Sequence, residues 1–121
     1  MVIQESAEMY LETILVLSKK QQYVRSLDVA EYMNYSKPSV SRGMSILKEN
    51  GYLLMDKDNY LILTESGKAL AEKIYERHTV LTNMLINLGV DPETAAADAC
   101  KMEHDISDIS FEAIKRHIHK T

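Results

Sequence analysis

The sequence predicts a mainly α-helical chain, with short helices and a small β-hairpin first and longer helices after. Three observations carry this. Apolar residues recur at helical spacing along most of the 121 residues. The pattern breaks at residues 52–63, where two apolar runs flank a polar turn. Between the periodic stretches stand residues that start or stop helices: Ser, Thr or Asp before a run, Gly after it.

Met9, Leu11, Ile14, Leu15 and Leu17 place a first amphipathic helix over about 5–19, ending at the polar run Lys19, Lys20, Gln21, Gln22. Ser26 reads as the N-cap of a short second helix through Leu27, Val29, Ala30 and Met33, closing near Asn34. Ser36 caps a third, with Pro38 in its first turn, where a helix tolerates proline. Val40, Met44 and Leu47 form its inward stripe, and Gly51 stops it. Two short helices joined by a tight turn, the second with a polar outer face, form a helix-turn-helix pattern. Tyr52–Met55 and Tyr60–Leu63, around Asp56, Lys57, Asp58 and Asn59, add a hairpin that makes the helix-turn-helix a winged one. Thr64 caps a long helix over about 65–87 closed by Gly89, and Asp91 caps another, with Pro92 in its first turn, reaching about His104. Ser107 or Ser110 starts a last helix through about His119. The domain boundary falls between 1–64, the winged part, and 65–121, the helical part.

Composition is that of an ordinary globular chain, 45% hydrophobic and 26% charged. No apolar run approaches the ~18 residues that cross a bilayer, and the acids Glu5, Glu8 and Glu12 stand where a secretory leader is basic and apolar. The expected location is the cytoplasm, with no membrane partner. The net charge of −4 is unhelpful for nucleic acid, but residues 19–63 carry a local balance of +2 between acidic ends. The lone Cys100 excludes an internal disulfide; taken singly it reads as a small core residue.

Two constellations bear chemistry. The first is the outer face of the third helix, Ser36, Lys37, Pro38, Ser39, Ser41 and Arg42, joined by Lys48 and by Lys57 of the hairpin turn. Hydroxyls and a lysine at a helix N-terminus suit phosphate contact, and an arginine one turn on can reach a guanine edge. The bland alternative is a solvated helix face. The second is Cys100, Glu103 and His104. Positions i, i+3 and i+4 share a helix face, so thiolate, carboxylate and imidazole converge as a half-site for a divalent transition metal. Met9 and Glu12 on the first helix, and His78 on the long one, join only if the fold brings them there. Singly they read as core, solvated and exposed residues. His117 and His119 read as surface residues.

The chain resembles the diphtheria-toxin-repressor family, the iron- and manganese-dependent regulators of metal uptake. The likeness covers nearly the whole chain and rests on EMYLETI at 8–14, LDVAEYMNYSKPSVSRGMSILKENGYL at 27–53, LTESGKALA at 63–71, ERH at 76–78 and ACKMEHDISD at 99–108. It implies a homodimer with an N-terminal winged helix-turn-helix and a helical dimerisation region, repressing metal-uptake genes by binding palindromic double-stranded DNA. The implied metal ligands are Met9, Cys100, Glu103 and His104, with Glu12 and His78 as in manganese-type members. Thr82 and Ala96 stand where iron-type members place further ligands of an ancillary site, so that site is broken here as that subgroup builds it. Cys100 and Met9 resemble the iron type; the short chain, without the additional C-terminal domain of many iron-type members, resembles the manganese type. A thiolate–thioether pair is soft, which tilts the expected cofactor to Fe²⁺ over Mn²⁺.

The rivals are a winged-helix regulator indifferent to metal, an enzyme using Cys100, and an interaction module that ignores DNA. The enzyme is the poorest of these. Four glycines form no phosphate loop, and a cysteine four residues before a histidine on one helix suits a metal better than a nucleophile. No small organic substrate is expected.

Overall fold

The structure is a computed structural model that describes residues 5–119, with side chains described for 7–118. Its elements run α1 (Glu5–Lys20), α2 (Ser26–Met33), α3 (Lys37–Glu49), β1 (Leu53–Met55), β2 (Leu61–Leu63), α4 (Glu65–Asn87), α5 (Pro92–Asp105) and α6 (Asp108–His119). The chain falls into two compact units, Met1–Glu72 and Lys73–Thr121.

In the first unit α1, α2 and α3 pack on one another, and β1 and β2 lie against α3 and α1. Leu11, Ile14, Val29, Val40, Leu47 and Leu53 are essentially removed from solvent and form its core. Val40, Met44 and Leu47 point inward as their spacing requires. Ser36 caps α3, its Oγ accepting from Ser39 N, and Pro38 sits in the first turn. Gly51 follows the helix with φ +78°, a left-handed backbone that suits glycine.

The cap of α2 differs from the sequence expectation. Ser26 is the first helical residue, and Arg25 occupies the cap. The Arg25 N–H donates to Asp28 Oδ2 at 2.9 Å, and the Asp28 N–H, which a cap hydroxyl would serve, donates to Arg25 O at 3.0 Å.

The hairpin pairs Leu53 with Leu63, Leu54 with Ile62 and Met55 with Leu61. Its turn is built by Asp56, whose Oδ1 accepts from the N–H groups of Asp58 (2.8 Å) and Tyr60 (3.0 Å), while Asn59 takes φ +65°. Leu61 N donates to Val24 O at 2.7 Å, tying the hairpin to the chain before α2. Thr64 caps α4 by accepting from Gly67 N. Gly67 has no room for a side chain, since a Cβ would stand 2.0 Å from Tyr52 O.

In the second unit α4, α5 and α6 share a core of Leu81, Ala99 and Phe111, with Val80, Met84, Met102, Ile106 and Ile114 against it. Asp91 caps α5 by accepting from Thr94 N, and Ser107, not Ser110, caps α6. Among the described residues no helix is long and apolar enough to cross a membrane.

Candidate metal centre and nucleic-acid face

Two helices of the second unit build the candidate centre. One face of α5 carries Cys100, Glu103 and His104, and their ligand atoms lie within 4.8 Å of one another. Ligands on one ion with bonds of about 2.0–2.3 Å lie no more than roughly 4.6 Å apart, so this donor set fits a divalent transition ion with small adjustments. Cys100 is half-buried, whereas the side chains of Glu103 and His104 are 0% and 2% exposed. From α4, His78 Nδ1 lies 3.0 Å from Glu103 Oε2, and His104 Nε2 lies 3.3 Å from Glu103 Oε1.

The surroundings of Glu103 are the unusual feature. Oε1 is buried and accepts no hydrogen bond among the described residues. Among the described residues its ion-pair partners are the two imidazoles of His78 and His104. A buried carboxylate is costly without a positive partner or a full set of donors. A thiol and two imidazoles beside such a carboxylate form a donor set suited to a divalent transition ion.

Met9 and Glu12 belong to α1 in the first unit, three residues apart and both half-buried. Thr82 and Ala96 are half-buried, and neither belongs to a metal-competent cluster of the described residues. His117 is exposed, and the side chain of His119 lies outside the described residues.

On the face of α3, Lys37, Pro38, Ser41, Arg42 and Lys48 are exposed, as is Ser36 at the cap. Lys57 is exposed at the tip of the hairpin. Ser39 is different. It is half-buried, its Oγ accepts from the Ser36 hydroxyl at 2.9 Å, and its carbonyl accepts from the Tyr10 hydroxyl at 3.4 Å. It belongs to the wall between α1 and α3 rather than to the outermost surface.

That wall holds residues the sequence reading missed. Gly43, buried on α3, lets the Tyr10 ring of α1 lie against the helix backbone. Tyr35 meets Tyr10 edge-on, ring centres 6.1 Å apart at 88°. Burial, then the neighbouring Tyr35, holds the Tyr10 hydroxyl above the usual phenol range, with Arg42 opposing. Arg77 was missed too. Its buried guanidinium donates to Glu103 O (3.0 Å) and Ile106 O (2.8 Å) and pairs with Asp108.

Comparison with known proteins gives a consistent picture. Residues 3–61 match the family model described as iron dependent repressor, N-terminal DNA binding domain. Residues 64–121 match the one described as iron dependent repressor, metal binding and dimerisation domain. The transcriptional regulator MntR of Escherichia coli is 34% identical over 106 residues, 88% of this chain and 68% of the relative. The iron-dependent repressor IdeR of Mycobacterium tuberculosis is 33% identical over 105 residues, 86% of this chain and 46% of the relative. The solved structure of the manganese regulator SloR superposes with a TM-score of 0.86 at 28% identity, covering all of this chain and 56% of that one. The chain thus spans little more than half of that solved structure and less than half of IdeR.

Proposed function

The chain belongs to the diphtheria-toxin-repressor family of metal-dependent regulators, and we propose that it is a cytoplasmic metal-responsive repressor. In this reading it is no enzyme. It binds palindromic double-stranded DNA as a homodimer and controls metal-uptake genes. Residues 1–64 read the DNA, and residues 65–121 dimerise and bind metal.

The observation that carries the reading is the buried Glu103 carboxylate, which among the described residues faces a thiol and two imidazoles. Cys100, Glu103, His104 and His78 would hold the ion, and Met9 and Glu12 of α1 would complete its shell. The ion would supply the positive charge that the Glu103 carboxylate calls for. Cys100 must give up its proton to bind, so loading releases protons and weakens at low pH. Thiolate and thioether donors favour Fe²⁺ over Mn²⁺. The relatives' names point both ways, to manganese in SloR and to iron in IdeR.

The first unit supplies a link from ligand to DNA. Met9 and Glu12 flank Tyr10 on α1, and Tyr10 touches α3 through Gly43 and Ser39. Fixing α1 therefore biases the start of the recognition helix, where Ser36, Lys37, Pro38, Ser39, Ser41 and Arg42 would meet phosphates and base edges. Lys57 of the wing would add a phosphate contact. Two recognition helices in a dimer must match half-sites about 34 Å apart, and a ligand that prefers the matching arrangement shifts the population toward it. For the second copy, the second unit offers Leu88 and Ile109, apolar and 74% and 83% exposed.

The test is a titration of chelator-stripped protein against a labelled palindromic duplex from the promoter of a metal-uptake gene, with and without Fe²⁺ (anaerobically) or Mn²⁺. Binding that needs metal and disappears in Cys100→Ala with His104→Ala supports the reading. Equal binding in chelator points instead to a winged-helix regulator indifferent to metal.

A further inference from the structure

We propose that Arg77 is a positioning residue for Glu103, holding the carboxylate ready for the ion; this rests on the metal reading above. Two successive residues of α4 hold Glu103 at both ends. Arg77 Nη1 donates to the Glu103 carbonyl at 3.0 Å, and His78 Nδ1 meets the Glu103 carboxylate at 3.0 Å.

The grip reaches further along the chain. Nη1 also donates to Ile106 O at 2.8 Å, and Nη2 pairs with Asp108 in the first turn of α6. The guanidinium lies 5.4 Å from the centre of the Phe111 ring, and Lys73 Nζ lies 3.0 Å from the same Asp108 oxygen that Arg77 meets. The last carbonyls of a helix lack partners within the helix, and its C-terminus favours a cation. Arg77 supplies both donor and charge at the last turn of α5, the turn that carries Glu103 and His104.

The guanidinium bonds to main-chain oxygens and to Asp108, never to the Glu103 carboxylate. It fixes the ligand without neutralising it, so the charge stays available to a cation. A planar fork with donors in fixed directions does this; a lysine ammonium reaches one such acceptor with freer geometry. Ligands held by outer partners bind metal more tightly, and loss of such a partner typically costs about 10- to 100-fold in affinity.

The experiment is a Co²⁺ titration of the stripped full chain, followed by the thiolate-to-metal absorption in the near ultraviolet and the visible ligand-field bands. The variants are Arg77→Met, Arg77→Lys and Asp108→Asn, with Cys100→Ser as the control. Expected is a Co²⁺ affinity lower by about 10- to 100-fold in Arg77→Met, with altered visible bands and smaller losses in the other two. Arg77→Lys and Asp108→Asn keep the test open if Arg77→Met does not fold. Folded Arg77→Lys and Asp108→Asn with wild-type affinity and wild-type bands overturn the assignment, since a residue that only braces the core would leave both unmoved. Failure of the metal reading itself looks different: wild-type protein shows no saturable thiolate band, or Cys100→Ser keeps it, and the inference falls with it.

Discussion

The ring of Tyr10 on α1 occupies the space that a side chain on Gly43 of α3 would need. A Cβ at Gly43 would stand 2.1 Å from Tyr10 Cε2 and 2.4 Å from Cδ2. Tyr10 is 4% exposed, so its ring cannot swing aside into solvent. Gly43→Ala gains at most about 1 kcal/mol of helix propensity and forces overpacking that costs about 1–3 kcal/mol. The expected outcome is a less stable chain, read as a lower urea midpoint. A second change, Tyr10→Leu on the Gly43→Ala background, should recover part of the loss. An unchanged midpoint in Gly43→Ala would mean that α1 and α3 do not meet through this contact.

Glu103→Gln separates stability from metal binding. The amide keeps the size of the side chain and a partner for His78 while removing a buried charge. Chelator-stripped variant should melt at or above the wild-type temperature. Its Co²⁺ or Mn²⁺ affinity should fall at least about tenfold. A destabilised apo variant with intact metal affinity contradicts the role given to this carboxylate.

Acid should loosen the second unit through Asp108. The hydrogen bond and charge of Lys73 come first, and Arg77 adds to them, holding its carboxyl below the usual carboxylate range. The folded-state value is depressed, so the contribution is present above the ordinary aspartate value of about 3.9 and is lost as pH falls through the lower folded value. Wild-type urea midpoints should drop through that acid window. The Asp108→Asn variant should start lower near neutrality and show a shallower acid limb. Parallel curves for the two proteins would remove Asp108 from the account.

The exposed apolar residues of the second unit predict its self-association. Leu88→Glu with Ile109→Glu places charges at the two most exposed large hydrophobic side chains among the described residues. Sedimentation should show a dimer for wild type and a shift toward monomer for the double variant. An unchanged dimer would place the interface elsewhere.

On the DNA face, Arg42 and Lys57 should behave differently. Arg42→Ala should relax sequence preference, costing about 1–3 kcal/mol on the preferred site and little elsewhere. Lys57→Ala should weaken all duplexes alike and reduce the salt slope by about 1. The reverse pattern would exchange the two roles.

What could be read in advance follows from the range of the forces involved. Ser36, Thr64 and Asp91 act on N–H groups three residues away, so their caps are written locally. The cap of α2 misleads because Asp28 reaches back to Arg25, leaving Ser26 a helical residue. Gly43 and Arg77 have partners 26 or more residues distant, and no local pattern names them. The i, i+3, i+4 spacing brings Cys100, Glu103 and His104 together, but a glutamate in the last turn of α5 gives no local sign that it is removed from solvent. From the residues alone His78 joins the cluster only on condition that the fold brings it there, since it lies 25 residues away in the chain; the family resemblance makes it a ligand.

The central claim is that metal occupancy and DNA binding are one coupled equilibrium, and coupling is reciprocal. The most direct measurement is a metal titration of the stripped protein at fixed salt and pH, with and without saturating operator duplex. The account predicts that duplex tightens metal binding by the same factor by which metal tightens duplex binding, and that Arg42→Ala diminishes this effect without altering metal affinity in the absence of DNA. Identical metal isotherms with and without duplex would contradict it.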